Sequence, residues 1–189
     1  MNDIKAKYIF KITVIGDGFV GKTSLIRKFT QGTFKNDYIK TIGAQFSVFN
    51  EEIDGDICKL FFWDIAGQDE FHFLRPAFYK DSKAAIIVYT LEENDLGKES
   101  FKHLTNWHED IKQFCGDIPV VVFANKVDLV DKNSLDNTKI QKIVRKRKYL
   151  GYFITSAKTG EGVSEAFHAI IRELYSKYKT IFSELSGTS

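Results

Sequence analysis

The chain has 189 residues, 43% apolar and 28% charged, which suits one soluble domain with a full core. Its net charge of +2 says little about partners, and no nucleic-acid partner is expected. No apolar run approaches the roughly 20 residues of a membrane span, and neither the two cysteines (Cys58, Cys115) nor the four histidines (His72, His103, His108, His168) have metal-ligand spacing. Both cysteines lie in or beside apolar segments and read as reduced thiols in a reducing compartment. The first five residues carry no apolar signal region and no glycine for myristoylation. A cytoplasmic protein is the expectation.

In chain order, residues 8–15 are mostly apolar and β-branched and predict a buried strand. A helix is expected over 22–31, then a polar loop to Ile42. Segments 47–53 and 57–63 read as strands joined by Asp54-Gly55-Asp56, a hairpin signal. Residues 67–80 read as a loop leading into a short irregular helix. The runs 84–90 and 119–124 are continuously apolar and predict strands covered on both faces. Between them, Phe101, Leu104, Trp107 or His108, Ile111 and Phe114 recur at helical spacing, so 98–115 is read as one amphipathic helix with that stripe in the core. A helix over 139–150, a strand over 152–155 and a helix over 164–181 complete the pattern, with a small polar tail expected to fray. Strands alternating with helices, apart from one hairpin, predict an α/β fold: a six-stranded, mostly parallel sheet with one antiparallel edge strand and helices on both faces. Neither a repeat nor a low-complexity linker divides the chain, so a single domain is expected, its core over about 8–180.

Between the first strand and first helix lies Gly16-Asp17-Gly18-Phe19-Val20-Gly21-Lys22-Thr23, a full match to G-x-x-x-x-G-K-[ST]. Glycines 16 and 21 let the backbone wrap a phosphate chain. The N–H groups of residues 18 to 24 (Gly18, Phe19, Val20, Gly21, Lys22, Thr23, Ser24) then point at phosphate oxygens, and the helix N-terminus adds partial positive charge. Lys22 reaches the outer phosphates, and the Thr23 hydroxyl is suited to ligate Mg²⁺.

Three further motifs follow strands, where ligands of such sheets bind. Asp64-Ile65-Ala66-Gly67-Gln68 closes the third strand. Asp64 is placed to hold Mg²⁺ through a water, Gly67 to approach a terminal phosphate, and Gln68 to orient an attacking water. Asn125-Lys126-Val127-Asp128 follows the fifth strand. The Asp128 carboxylate can accept from guanine N1 and its 2-amino group, whereas adenine offers neither donor there. Ser156-Ala157-Lys158 follows the sixth, where the Ala157 N–H suits guanine O6. Each short motif is weak alone. Together, in this order, they are strong.

Phosphate loop, DxxGQ, NKxD and SAK in succession resemble the Ras superfamily of small GTPases over roughly residues 8 to 180. The segments 38–46, 63–69 and 78–80 are most similar to its Rab branch. The resemblance implies a slow GTP hydrolase and molecular switch, GTP or GDP as ligand, Mg²⁺ as cofactor and a monomeric state. It also implies nucleotide-dependent effector, exchange-factor and activator proteins, in membrane trafficking or signalling. By the same resemblance Thr41 binds Mg²⁺ and senses the γ-phosphate, acting with Gln68 and Lys22 in catalysis. Phe34 packs edge-on against guanine, and Tyr38 closes over the phosphates. Phe46, Trp63 and Phe78 match the aromatic triad that displays the active state, flanked by loops 34–46 and 67–80.

Four departures stand out. Phe19 occupies a position that is usually small, Ile65 replaces threonine, Asp69 replaces glutamate, and Lys80-Asp81 replaces Arg-Gly. No cysteine lies near the end of the chain as given, so prenylation is not expected. Phe19 favours an alternative, a GTP-bound scaffold that does not turn over. A P-loop nucleotide kinase is disfavoured by NKxD and by the lack of an arginine-rich lid. Finally, Lys139, Lys142, Arg145, Lys146, Arg147 and Lys148 put six basic residues in one helical segment without an acid. They read as a solvated face or as a patch for anionic lipid or an acidic partner, which makes peripheral membrane contact an expectation to test.

Overall fold

The continuous apolar runs of the sequence form the inner strands of one sheet. The structure, a computed structural model, describes residues 6–34, 41–67 and 73–186. Strands β1 (Tyr8–Ile15), β2 (Ala44–Ile53), β3 (Asp56–Ile65), β4 (Ala84–Thr90), β5 (Val120–Asn125) and β6 (Gly151–Ile154) lie in the order β2-β3-β1-β4-β5-β6. All neighbours are parallel except β2, which runs antiparallel to β3 at one edge. The expected α/β architecture is the observed one. β1 is flanked by β3 and β4, so the chain leaves it once in each direction. The crevice beyond its carboxyl end is where such sheets bind ligands.

Helices α1 (Lys22–Gln31) and α6 (Val163–Ser186) cover one face. Leu25, Ile26, Phe167, Ile170 and Leu174 pack there on Phe10, Ile12, Phe62 and Phe123. At ten residues, α1 is too short to hold itself together in water. Burial of Leu25 and Ile26, each worth about 1.5–3 kcal/mol, holds it to the sheet. The other face carries α2 (Arg75–Tyr79), α3 (Asp95–Lys102), α4 (Leu104–Cys115) and α5 (Thr138–Arg147). Its layer includes Tyr79, Leu104, Trp107, Ile111 and Ile140 over Ile15, Ile87 and Val122.

Three local expectations need correction. The helix read over 98–115 is two helices separated at His103. The first begins earlier because the Asn94 side chain accepts from the Gly97 N–H at 3.0 Å and so caps it. Helical bonds still span the junction, from Trp107 N–H to His103 O at 3.0 Å. Phe114, assigned to the buried stripe, is 41% exposed. The last helix does not stop near 181 but continues to Ser186, past the point where a frayed tail is expected.

Candidate functional site

The phosphate loop leaves β1 and turns into α1 through left-handed backbone at Phe19 (φ 66°) and Gly21 (φ 99°). Only glycine fits at position 21: a Cβ there would stand 2.3 Å from Asn125 Nδ2. That amide donates to Val20 O at 2.8 Å and ties the end of β5 to the loop. Lys22 is buried at the loop's base, its ammonium donating to Gly16 O and Asp17 O, both at 2.8 Å. An ammonium has three donors, so one is left to aim at a ligand. Burial pushes the Lys22 pKa down to about 8, against the attraction of Asp64 and Asp17.

Thr23, Thr41 and Asp64 come from α1, the segment before β2 and the end of β3, and they meet. The Thr23 hydroxyl donates to Asp64 Oδ2. The hydroxyls of Thr23 and Thr41 lie 3.1 Å apart, and Thr41 reaches Asp64 Oδ2 at 3.3 Å. Asp64 Oδ1 is buried with no hydrogen-bond partner among the described residues. Burial pushes the Asp64 carboxyl up, while Lys22 and the two hydroxyls favour its charged form. A small hard cation fits this donor set of two hydroxyls and a half-satisfied carboxylate. Among the described residues no cluster of three His, Cys, Asp or Glu side chains could hold a metal alone. An ion here would therefore depend on ligand oxygens as well.

Gly67 follows β3 and lies against the phosphate loop. A Cβ on it would stand 2.2 Å from Gly16 O and 2.6 Å from Gly18 N. At the ends of β5 and β6 the two base motifs meet. Ser156 Oγ donates to Asp128 Oδ1 at 2.5 Å, and Lys158 Nζ is 4.0 Å from the other oxygen. The Ala157 N–H reaches Asn125 Oδ1 at 3.2 Å. Lys126, in left-handed backbone at φ 67°, pairs with Glu92 at 2.5 Å. Phe34 is half-buried against the layer beneath α1 and α6. Tyr38 and Gln68 lie outside the described residues.

On the outer sheet face, the rings of Phe46 and Trp63 are 5.8 Å apart, and those of Trp63 and Phe78 are 6.1 Å apart. Phe46 is 58% exposed. The three make one continuous aromatic surface. Five basic residues of 139–148 are exposed, whereas Arg147 is partly covered and pairs with Glu109 of α4.

Sequence reasoning missed two residues beside the phosphate loop, His103 and Trp107. The Asp17 side chain accepts from Trp107 Nε1 and meets His103 Nδ1, each at 2.7 Å. Trp107 reads in the sequence only as a core aromatic. Nothing local could link it to a loop 90 positions earlier.

Comparison with known proteins gives one family model, described as the Ras family, matching residues 11–176. Rab-13 from Rattus norvegicus is 33% identical over 171 residues, covering 90% of this chain and 82% of that protein. Rab-18-B from Danio rerio is 36% identical over 166 residues, 87% and 78% of the respective chains. Rab-8B from Homo sapiens is 32% identical over 171 residues, 90% and 80%.

Proposed function

The chain belongs to the Ras family of small GTPases and is Rab-like within it, and on that premise we propose a Mg²⁺-dependent GTP switch that hydrolyses GTP slowly to GDP. The observation that carries the proposal is the convergence of Thr23, Thr41 and Asp64 beside Lys22, from three separate stretches of chain. Lys22 and the loop N–H groups hold the β- and γ-phosphates and offset their charge. Thr23 and Thr41 would hold magnesium directly, with Asp64 through a water. When bound, the ion neutralises charge developing on the phosphate oxygens. Gln68 orients the attacking water. Asp128 and Ala157 read the guanine edge, with Asn125 bracing both motifs against the loop.

Loss of the γ-phosphate removes the partner of Thr41 and of the Gly67 N–H, which releases both loops. The aromatic surface of Phe46, Trp63 and Phe78 would carry that change to an effector, and exchange and activator proteins would act on the same loops. We further propose a cytoplasmic monomer. Among the described residues, no helix is long and apolar enough to cross a membrane.

Mass spectrometry of nucleotide retained through purification, followed by single-turnover hydrolysis with and without Mg²⁺, tests the proposal. Retained GDP or GTP, and hydrolysis slowed by Gln68→Leu with little change in affinity, are expected. Equal affinity for ATP and GTP would overturn it. Phe19, 54% exposed on the phosphate loop, favours a second reading, a GTP-bound scaffold without turnover. Retained GTP that is never hydrolysed would select that reading.

A further inference from the structure

Asp17 lies in the phosphate loop, and its side chain is bonded to His103 and to Trp107 of α4. Its two carboxylate oxygens are shared out: Oδ1 accepts from the indole N–H of Trp107 and Oδ2 meets His103 Nδ1, each at 2.7 Å. Its backbone carbonyl is one of the two that seat the Lys22 ammonium. Side chain and main chain of one residue thus connect α4 to the phosphate-binding lysine. Trp107 is 6% exposed and buried in the layer under α4, so its indole is fixed by packing before it meets the loop.

The same indole has a second contact. The Arg75 guanidinium sits 4.3 Å from its ring centroid, at cation–π distance. Arg75 also reaches Asp110 at 3.5 Å, and Tyr79 donates to that carboxylate at 2.8 Å. Arg75 and Tyr79 belong to α2, the first described element after Gly67. Gly67 itself presses on the loop at Asp17, where its Cβ would stand 2.4 Å from the carbonyl carbon. One side chain therefore touches both the phosphate loop and α2.

We propose that Trp107 is a positioning residue for the nucleotide: its N–H edge fixes Asp17 and the seat of Lys22, its face fixes α2, and His103 completes the grip on Asp17. The inference rests on the guanine-nucleotide reading above. It assigns work to two residues that no phosphate-binding motif contains. The indole N–H to a carboxylate is a charge-assisted bond, stronger than a neutral one. Phenylalanine at 107 removes that bond and keeps an aromatic ring in the layer, at the cost of a small cavity.

The test is GDP release, followed with a fluorescent GDP analogue at saturating Mg²⁺, in the full chain and in W107F, D17A and the double variant. W107F and D17A should each release GDP roughly tenfold faster. The double variant should release GDP clearly more slowly than the product of the two single accelerations predicts, because both changes break the Trp107–Asp17 bond. A merely structural role predicts additive acceleration that follows the loss in melting temperature, and that result overturns the inference. Should W107F fail to fold, H103Q replaces it: release should quicken in the native background and not in D17A. A chain that binds no guanine nucleotide would overturn the functional reading, and the clamp with it. A chain that binds GDP, but whose W107F and H103Q variants release it at the native rate, overturns the clamp alone.

Discussion

Gly67, at the end of β3, is pressed so closely on Gly16, at the end of β1, that a Cβ at position 67 would stand 2.2 Å from the Gly16 carbonyl oxygen. The neighbouring contacts are also backbone, at 2.4 and 2.6 Å, so nothing flexible can yield. Gly67→Ala should therefore drive the segment after β3 off the phosphate loop. GDP affinity should stay within about threefold, because GDP lacks the phosphate that Gly67 would meet. Binding of GTP-selective partners should be lost. Titration with GDP and a non-hydrolysable GTP analogue checks this, and an unaltered preference for the analogue would refute it.

Asp128 is held by Ser156 at 2.5 Å with its carboxylate at the ends of β5 and β6. Asp128→Asn removes the charge and one acceptor while keeping the shape. Guanine affinity should fall about 10²–10³-fold, the loss expected when one member of a buried charged pairing is truncated. Affinity for xanthine nucleotides should rise, since their 2-oxo group accepts from the new amide. Competition between GTP and XTP measures both.

Phe19 occupies left-handed backbone, at φ 66°, that costs a side-chain-bearing residue about 1–2 kcal/mol. Glycine has no such penalty but loses about 0.5–1 kcal/mol of chain freedom on folding. Phe19→Gly should then raise stability by about 0.5–1 kcal/mol. Denaturant unfolding at a fixed GDP concentration checks this. Equal or lower stability would show that Phe19 packing outweighs the strain.

The two thiols should differ in reactivity. Cys58 is fully buried on β3, and burial pushes its pKa up to about 11. At pH 8 about a thousandth would be thiolate. Cys115 is only partly covered at the end of α4, though burial raises its pKa too. Because a thiolate reacts and a thiol does not, labelling of Cys115 should quicken as pH rises. Iodoacetamide at pH 8 should modify Cys115 first and Cys58 only on unfolding. Mass spectrometry over time reads the order, and equal rates would contradict the burial of Cys58.

The basic segment bears on α5. Lys139, Lys142, Arg145 and Lys146 are exposed, as is Lys148 just beyond the helix. Charge reversal at Arg145, Lys146 and Lys148 should abolish any low-salt binding to anionic vesicles, with Arg147 left in its pair with Glu109. Co-sedimentation at low and high salt measures it. Unchanged binding would leave α5 a solvated face.

The alternation of strand and helix, the two fully apolar strands and the phosphate loop were legible in the chain because each is written within a few neighbouring residues. Binary pattern sets an element, and glycine spacing sets a loop. Boundaries were less legible: α3 begins at Asp95 because Asn94 caps it, and α6 runs on to Ser186. Phe114 shows the limit of periodicity. It keeps the spacing of the stripe, yet at the last turn of α4 it stays exposed, with its ring beside Tyr79 of α2.

Lys22, Thr23, Asp64, Asn125 and Asp128 stand out in the sequence as candidates because their motifs sit directly after strands. Distances among them could not, since the parallel order β3-β1-β4-β5-β6 alone brings strand ends far apart in the chain to one edge. Which groups share a proton or a contact was decided there: Thr23 with Thr41 and Asp64, Asn125 with Val20, Ser156 with Asp128. Trp107 is the clearest case. Its helical spacing marks it as core and nothing more, and its hold on Asp17 exists only because α4 is packed on the sheet against β4. A hydrogen bond between residues 90 positions apart has no local signature. The packing of a helix on a sheet creates it.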